Sequence, residues 1–349
     1  MQENQTQTEQ SEGAKKDEVF SKSLSDNVKT LSPAQLVIKR FFRSKLSVVG
    51  LAVLLLLFLI CFLGPLFFPG MDYETPDLDG GLEVTTTRIE YTVDGEKYEM
   101  YDVVYTPVIN KLAYPSARHW LGTDENGRDV LMRLMYGGRI SLTIGFVVVI
   151  LETLVGVLLG GLAGYFGGIV DQVVMRIVDV FYCIPQMPIL FICSALLSAN
   201  QVNGYARIYW LMLILVVFGW AGTARMVRGQ ILSLREQEFM LAARSMGVPA
   251  WKKIFRHLIP NVMPQLIVQM TLGLGGIILT ESTLSYLGLG VPIPYATWGN
   301  MIQTLSKPEI LSAHFHVWGP PGICIMLAVL SFNFIGDGLR DAFDPKMKK

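Results

Sequence analysis

Two carboxylates stand in stretches that otherwise carry no charge: Glu152, inside residues 140–166, and Glu281, inside residues 262–289. An acidic side chain at the centre of an apolar span costs about 3 kcal/mol to insert. The 15 Leu, Ile, Val and Phe residues of 141–166 return about 4 to 9 kcal/mol at about 0.3 to 0.6 each. The segment therefore inserts despite Glu152, and a carboxylate held there is expected to face a polar route or a partner group. Glu281 is assigned with it to a translocation pathway. No enzyme chemistry competes for these groups: His257, His314 and His316 are scattered, and no nucleophile, base and orienting residue cluster. GTDENGRD (122–129) has the flavour of a calcium loop, but it lacks the later Gly and the Glu at position twelve that an EF-hand needs. It reads as a turn. Cys61, Cys183, Cys193 and Cys324 lie in apolar runs without ligand spacing. No metal site is expected.

The elements that position these residues are membrane spans. Of 349 residues, 51% are hydrophobic and 17% charged, and 29 Lys and Arg balance 29 Asp and Glu. A soluble domain carries nearer a quarter charged residues, and a neutral chain has no field to draw nucleic acid. Residues 1–45 are polar, lack the order of a signal peptide and read as a cytoplasmic tail. Uncharged or nearly uncharged runs at 46–68, 140–166, 180–200, 207–227, 262–289 and 317–337 are long enough for a hydrocarbon core of about 30 Å. The reading is an all-α polytopic membrane protein with six transmembrane helices and a C-terminal tail at 338–349. Lys and Arg concentrate before the first run, between the fourth and fifth, and at the C-terminus, whereas Arg207 and Lys307 are the only ones in the opposite short loops. By the positive-inside rule both termini are cytoplasmic and the cell membrane is the location.

Parity then puts residues 69–138 outside. Between Met71 and Asp102 lie 10 acidic residues against Arg88 and Lys97. Thr, Tyr, Val and Ile flank Asp94-Gly95, a pair that accepts the positive φ of a type I′ turn, so a small external β-hairpin is expected. It is a docking surface, a gate, or a solvated insertion. In the second run Gly156, Gly160 and Gly164 recur every four residues and let a second helix approach closely, in the same chain or in another. Pro185 and Pro188 bend or break the third run.

Between the fourth and fifth runs, residues 229–260 contain EQEFMLAARSMGVPAWKKIFRHLIP. Good helix formers reach Met246, Gly247 suits a C′ position, Pro249 starts a second helix and Pro260 ends it. Ala242 and Ala243 form a smooth patch flanked by Arg244, Lys252 and Lys253. Such a helix, corner, helix unit suits either a groove on a cytoplasmic protein or the lipid surface.

The spacing Leu241, Ala242, Ala243, Gly247, His257, Leu258, Ile259, Pro260 resembles the loop motif of ABC importer permeases, with Leu241 in place of its Glu and His257 in place of its Ile. The stretches 119–142, 164–180, 224–239, 281–302 and 332–346 are similar, in the same order, to the dipeptide, oligopeptide and nickel permease family, C-type subunit. The resemblance runs from Lys39 to the C-terminus except across the acidic hairpin, and implies the transmembrane domain of a type I ABC importer in residues 139–337. It further implies a homologous second permease, two ABC ATPase subunits contacted through Leu241, Ala242, Ala243, Gly247 and Pro260, and an extracellular substrate-binding protein. The chain has no G-x-x-x-x-G-K-[ST] loop, so ATP and Mg are used by the partners and none is bound here. The tail and outer loop resemble the oligopeptide branch. Glu152 would attract a peptide's amino terminus, while nickel or another small solute remains the alternative within the family. A proton-driven carrier acting through Glu152 is the alternative outside it.

Overall fold

The structure, a computed structural model, describes residues 32–93 and 96–344. Residues 1–31, the Asp94-Gly95 pair where a turn is expected, and the last five residues lie outside it. The expected tail is not featureless up to residue 45, because Ser32 begins α1 (Pro33–Phe41). Its hydroxyl accepts from Gln35 N while the Gln35 side chain accepts from Ser32 N, a capping box with Pro at the first helical position. Phe41 is buried in the core and Arg40 donates to the Asp344 carbonyl at 3.1 Å, tying α1 to the far end of the chain.

α2 (Lys45–Leu63) is almost wholly apolar, and a 3-10 turn, Gly64–Phe67, extends it. Its buried residues Ser47, Gly50, Leu54, Leu57 and Cys61 recur every three to four positions, giving one stripe toward the bundle. Leu55, Leu56 and Leu59 on the other side are over half exposed in the isolated chain. α3 (Val130–Phe166) starts at Asp129, whose carboxylate accepts from Met132 N. Arg139 on α3 donates to the Cys61 and Phe62 carbonyls at 2.7 and 2.8 Å, placing a cation at the negative end of α2.

The third run, 180–200, is broken at Pro185, where a bend or break is expected. α4 (Gly168–Cys183) and α5 (Gln186–Ala199) meet at 78°. Pro185 removes a donor and crowds the preceding residue, and Ile184 is accordingly extended at φ −85°, ψ 122°. α6 (Gly204–Leu234) crosses back along α3, and α4 is held to it by a bidentate Arg228 to Asp171 pair at 2.7 and 2.6 Å. After the short α7 (Glu238–Ser245) comes a second difference. Pro260 does not end a helix: a turn at Ala250–Lys252 passes through a π-helical stretch, Lys253–Leu258, straight into α8 (Ile259–Tyr286). Proline needs no donor there, and Asn261 Nδ2 takes up the His257 carbonyl at 2.6 Å.

Two short helices, α9 (Trp298–Ile302) and α10 (Pro308–Ala313), precede α11 (Phe315–Phe343). Among the described residues five helices are long and apolar enough to cross a membrane, and the bent α4–α5 pair makes a sixth span if it crosses as one. The main core joins α2, α3, α8, α9 and α11 around Trp298 and Phe332. Set apart from the bundle, β1 (Leu82–Val93) pairs antiparallel with β2 (Glu96–Pro107) in a single register from Leu82↔Pro107 to Val93↔Glu96.

Candidate coupling corner and membrane carboxylates

The loop between α6 and α8 folds as a braced corner. Met240 points inward, into a cluster with Val227, Ile231, Ile254, Leu258, Val262 and Leu266, and Ala243, one turn on, is buried as well. At its end Gly247 has φ +70°, its N–H donates to the Arg244 carbonyl and Val248 N–H to the Ala243 carbonyl, both bonds of a Schellman motif. Arg235 braces the corner from behind, donating to the Gly164 and Tyr165 carbonyls at the end of α3. Arg244 reaches back to the Arg235 carbonyl at 3.4 Å.

The outward face is apolar. Leu241, Met246, Trp251 and Phe255 are 50%, 74%, 61% and 56% exposed, with Arg244, Lys252 and Arg256 around them. The two alanines do not form a joint outer patch: Ala242 faces out and Ala243 in, because neighbours on a helix are about 100° apart. Leu241, where the motif has Glu, adds apolar surface to the rim, and Pro260 sits in the first turn of α8, past the corner.

The glycine stripe is used within the chain. A Cβ on Gly156 would meet Thr223, one on Gly160 would come within 2.3 Å of the Ala224 carbonyl, and one on Gly164 would meet Arg228 O and Ile231. α3 and α6 thus touch backbone to backbone. One turn earlier, the Glu152 carboxylate lies against Gly219, so close that a Cβ there would overlap its Oε1 at 1.7 Å. Oε1 is buried with no hydrogen-bond partner among the described residues.

Glu281 lies elsewhere, enclosed within the chain. It is 0% exposed and accepts from Ser285 at 2.7 Å and Ser141 at 3.3 Å, while Ser141 also accepts from Trp298 N at 3.2 Å. It therefore pins the return segment before α9 between α3 and α8. Glu281→Leu is expected to remove about 2 to 3 kcal/mol by orphaning both hydroxyls, and Glu281→Gln distinctly less, since an acceptor remains. Thermal melts of the chain in nanodiscs check this, and equal melting of Leu and wild type would remove Glu281's pinning role.

Sequence reasoning missed the neck beneath the hairpin. His119, 8% exposed, bridges Asp129 (Nδ1 to Oδ2, 2.8 Å) and Asp77 (Nε2 to Oδ2, 3.2 Å). Burial alone would raise the Asp77 carboxyl, but Asn110, Arg118 and His119 together hold it below the usual carboxylate range. The neck's contribution is thus full above that range and fades as pH falls through the lowered value. In GTDENGRD the Asp124 carboxylate accepts from Asn126 N and Arg128 N and pairs with Arg133, a turn closed by its own backbone. Among the described residues no group of three or more His, Cys, Asp or Glu could hold a metal ion.

Comparison with known proteins identifies this arrangement. Residues 156–349 match the family described as binding-protein-dependent transport system inner membrane component, and residues 32–79 the N-terminal TM domain of oligopeptide transport permease C. The chain is 36% identical over 326 residues to the dipeptide transport system permease protein DppC of Bacillus subtilis, covering 93% of this chain and 90% of that one. It is 34% identical over 321 residues to the oligopeptide transport system permease protein OppC of the same organism, 92% of each. The glutathione transport system permease protein GsiD of Pectobacterium atrosepticum is 37% identical over 234 residues, 67% of this chain and 75% of its own. With its long apolar helices, small antiparallel sheet and braced corner, the chain belongs to the binding-protein-dependent inner membrane components, as an integral membrane permease subunit of the type I ABC importer class.

Proposed function

We infer that this chain is the C-type permease of an ATP-driven importer that carries peptides into the cell by alternating access. The observation that bears most weight is the exposed apolar corner fixed to the joined ends of α3 and α6. A surface patch of this kind, ringed by Arg and Lys, suits a partner protein or a lipid surface, and the likeness to ABC importer permeases supports an ATPase subunit as the partner. A cytoplasmic position for this end and for both termini, with the hairpin outside, is supported by the basic residues gathered here. ATP-driven closure of the ATPase dimer moves the corner as a unit, and the close α3–α6 seam passes that movement into the membrane. A second, homologous permease completes the route, and an external binding protein delivers the substrate. Peptide as the substrate is supported by the dipeptide, oligopeptide and glutathione permeases named above.

Glu152, unpartnered and set against Gly219, is the group proposed to meet the substrate's ammonium end on the way through. The test is uptake of labelled peptides and of nickel by proteoliposomes containing the chain with its permease and ATPase partners and supplied with the binding protein, or containing the chain alone. ATP-dependent peptide uptake by the complex is expected. Uptake by the chain alone under a proton gradient would favour a carrier, and uptake of nickel without peptide would move the substrate to the metal branch. Within that assay Glu152→Gln is expected to lower peptide uptake about tenfold, as loss of a charge-assisted contact does, with ATP hydrolysis retained. Unaltered uptake would take Glu152 out of the route.

A further inference from the structure

The acidic hairpin has no partner within the chain. Each strand is 12 residues long, about 40 Å at about 3.3 Å per residue, and all its described side chains are exposed. A lone two-stranded sheet is marginal in water, yet this one offers apolar groups along one face: Leu82, Val84, Tyr101, Val103 and Tyr105 are 66%, 54%, 56%, 41% and 63% exposed. The register places Val84 opposite Tyr105 and Leu82 opposite Pro107, so these side chains form one continuous stripe.

Its base is rigid. Gly80 N–H donates to the Val108 carbonyl and Val108 N–H to the Gly81 carbonyl, both at 2.9 Å, and Asp77 N–H donates to Gly127 O at 2.8 Å. His119 joins Asp77 to the carboxylate that caps α3. The hairpin is thus a fixed arm on the end of the 37-residue α3 opposite the coupling corner, which is braced at Gly164 and Tyr165.

Charge decides the occupant. Glu83, Glu90, Glu96, Glu99 and Asp102 oppose Arg88 and Lys97 on the strands, and Arg88 is already paired with Glu90 and Glu99. Anionic headgroups are repelled by such a surface, and two hairpins placed edge to edge would set acid against acid. By the register Glu83 and Asp102 lie on the face behind the stripe, so a protein that covers the stripe with an apolar patch and reaches round the hairpin's edges with Lys and Arg fits both faces. We propose that the hairpin is the docking arm for the extracellular substrate-binding protein, gripping a basic-rimmed apolar surface on it. This rests on the importer reading above.

The test uses the whole importer in nanodiscs, titrated with its binding protein while ATP hydrolysis is followed. In one variant residues 82–107 are replaced by Gly-Gly, which the mutual bonds of Gly80, Gly81 and Val108 allow to close. In a second, Glu83→Lys and Asp102→Lys reverse two exposed charges and leave the arm in place. The deletion is expected to raise the half-saturating concentration of binding protein at least about tenfold, the loss that removing an interface core produces. The charge reversal raises it at low salt and converges with wild type at high salt, where surface charges are screened. Basal hydrolysis and co-purification of the subunits stay unchanged, which separates lost docking from lost folding. A photoreactive group at Tyr105 is expected to crosslink to the binding protein. An unchanged half-saturation in the deletion, or crosslinks to a second copy of this chain, would overturn the proposal while the importer reading stands. Hydrolysis that ignores the binding protein even in the unaltered complex counts against the importer reading itself.

Discussion

Gly247→Val should reduce ATP-dependent uptake to about a thirtieth while membrane insertion and the helical bundle stay intact. At φ +70° an L side chain costs about 1–2 kcal/mol, and a β-branched one more, because its branches meet the flanking carbonyls. A penalty of about 2 kcal/mol corresponds to a factor of about 30 in the equilibrium between the native corner and its alternatives. The strain is confined to the backbone, since a Cβ at this position meets nothing within 4 Å. Asn, which tolerates the left-handed region, should therefore be mild, Ala intermediate and Val severe. Uptake in proteoliposomes, alongside cysteine accessibility to establish insertion, measures the series. Val behaving like wild type would mean that the shape of the corner is irrelevant to coupling.

Gly160→Val should have the largest structural effect of any single change considered, with little folded protein recovered. A Cβ there lies 2.3 Å from the Ala224 carbonyl, and that atom is backbone, so no rotamer change relieves the clash. Overpacking typically costs about 1–3 kcal/mol, and forcing two long helices apart along a backbone seam belongs at or beyond the upper end. The neighbouring Gly161 supplies the control. It is buried too, but its nearest foreign atom is 3.8 Å away, and Gly161→Ala should fold normally. Size-exclusion profiles and thermal melts in detergent distinguish the two, and a monodisperse Gly160→Val protein melting within a few degrees of wild type would contradict the tight α3–α6 approach.

The long apolar runs were legible because a hydrocarbon core leaves a composition signal that tertiary packing does not blur. Thr, Tyr and Val in the outer segment likewise announced two strands. What escaped reading depended on distant partners. The Ser32 to Gln35 capping box was in plain view, but its helix is held by Phe41 and Arg40 against the other end of the chain. Pro260 carries a stop signal that a π-helical stretch cancels, and the inward turn of Ala243 follows that of Met240, three residues earlier, which packs in the cluster of Ile231 and Leu258 and which spacing alone does not orient. Glu281 illustrates the limit most sharply. An intramembrane carboxylate advertises polarity, yet whether it meets solvent or two serines is decided by α3, 140 residues earlier.

α3 deserves to be regarded as a solid beam. Its 37 residues run unbroken for about 55 Å at about 1.5 Å per residue. One tip is welded to the outer arm through Asp129 and His119, and the other is riveted by Arg235. Pivoting such a beam by about 10° near its midpoint sweeps each tip through about 5 Å, in opposite directions. Arrival of cargo on one side of the bilayer and burning of fuel on the other would then be two readings of a single seesaw, with no relay of side chains needed between them.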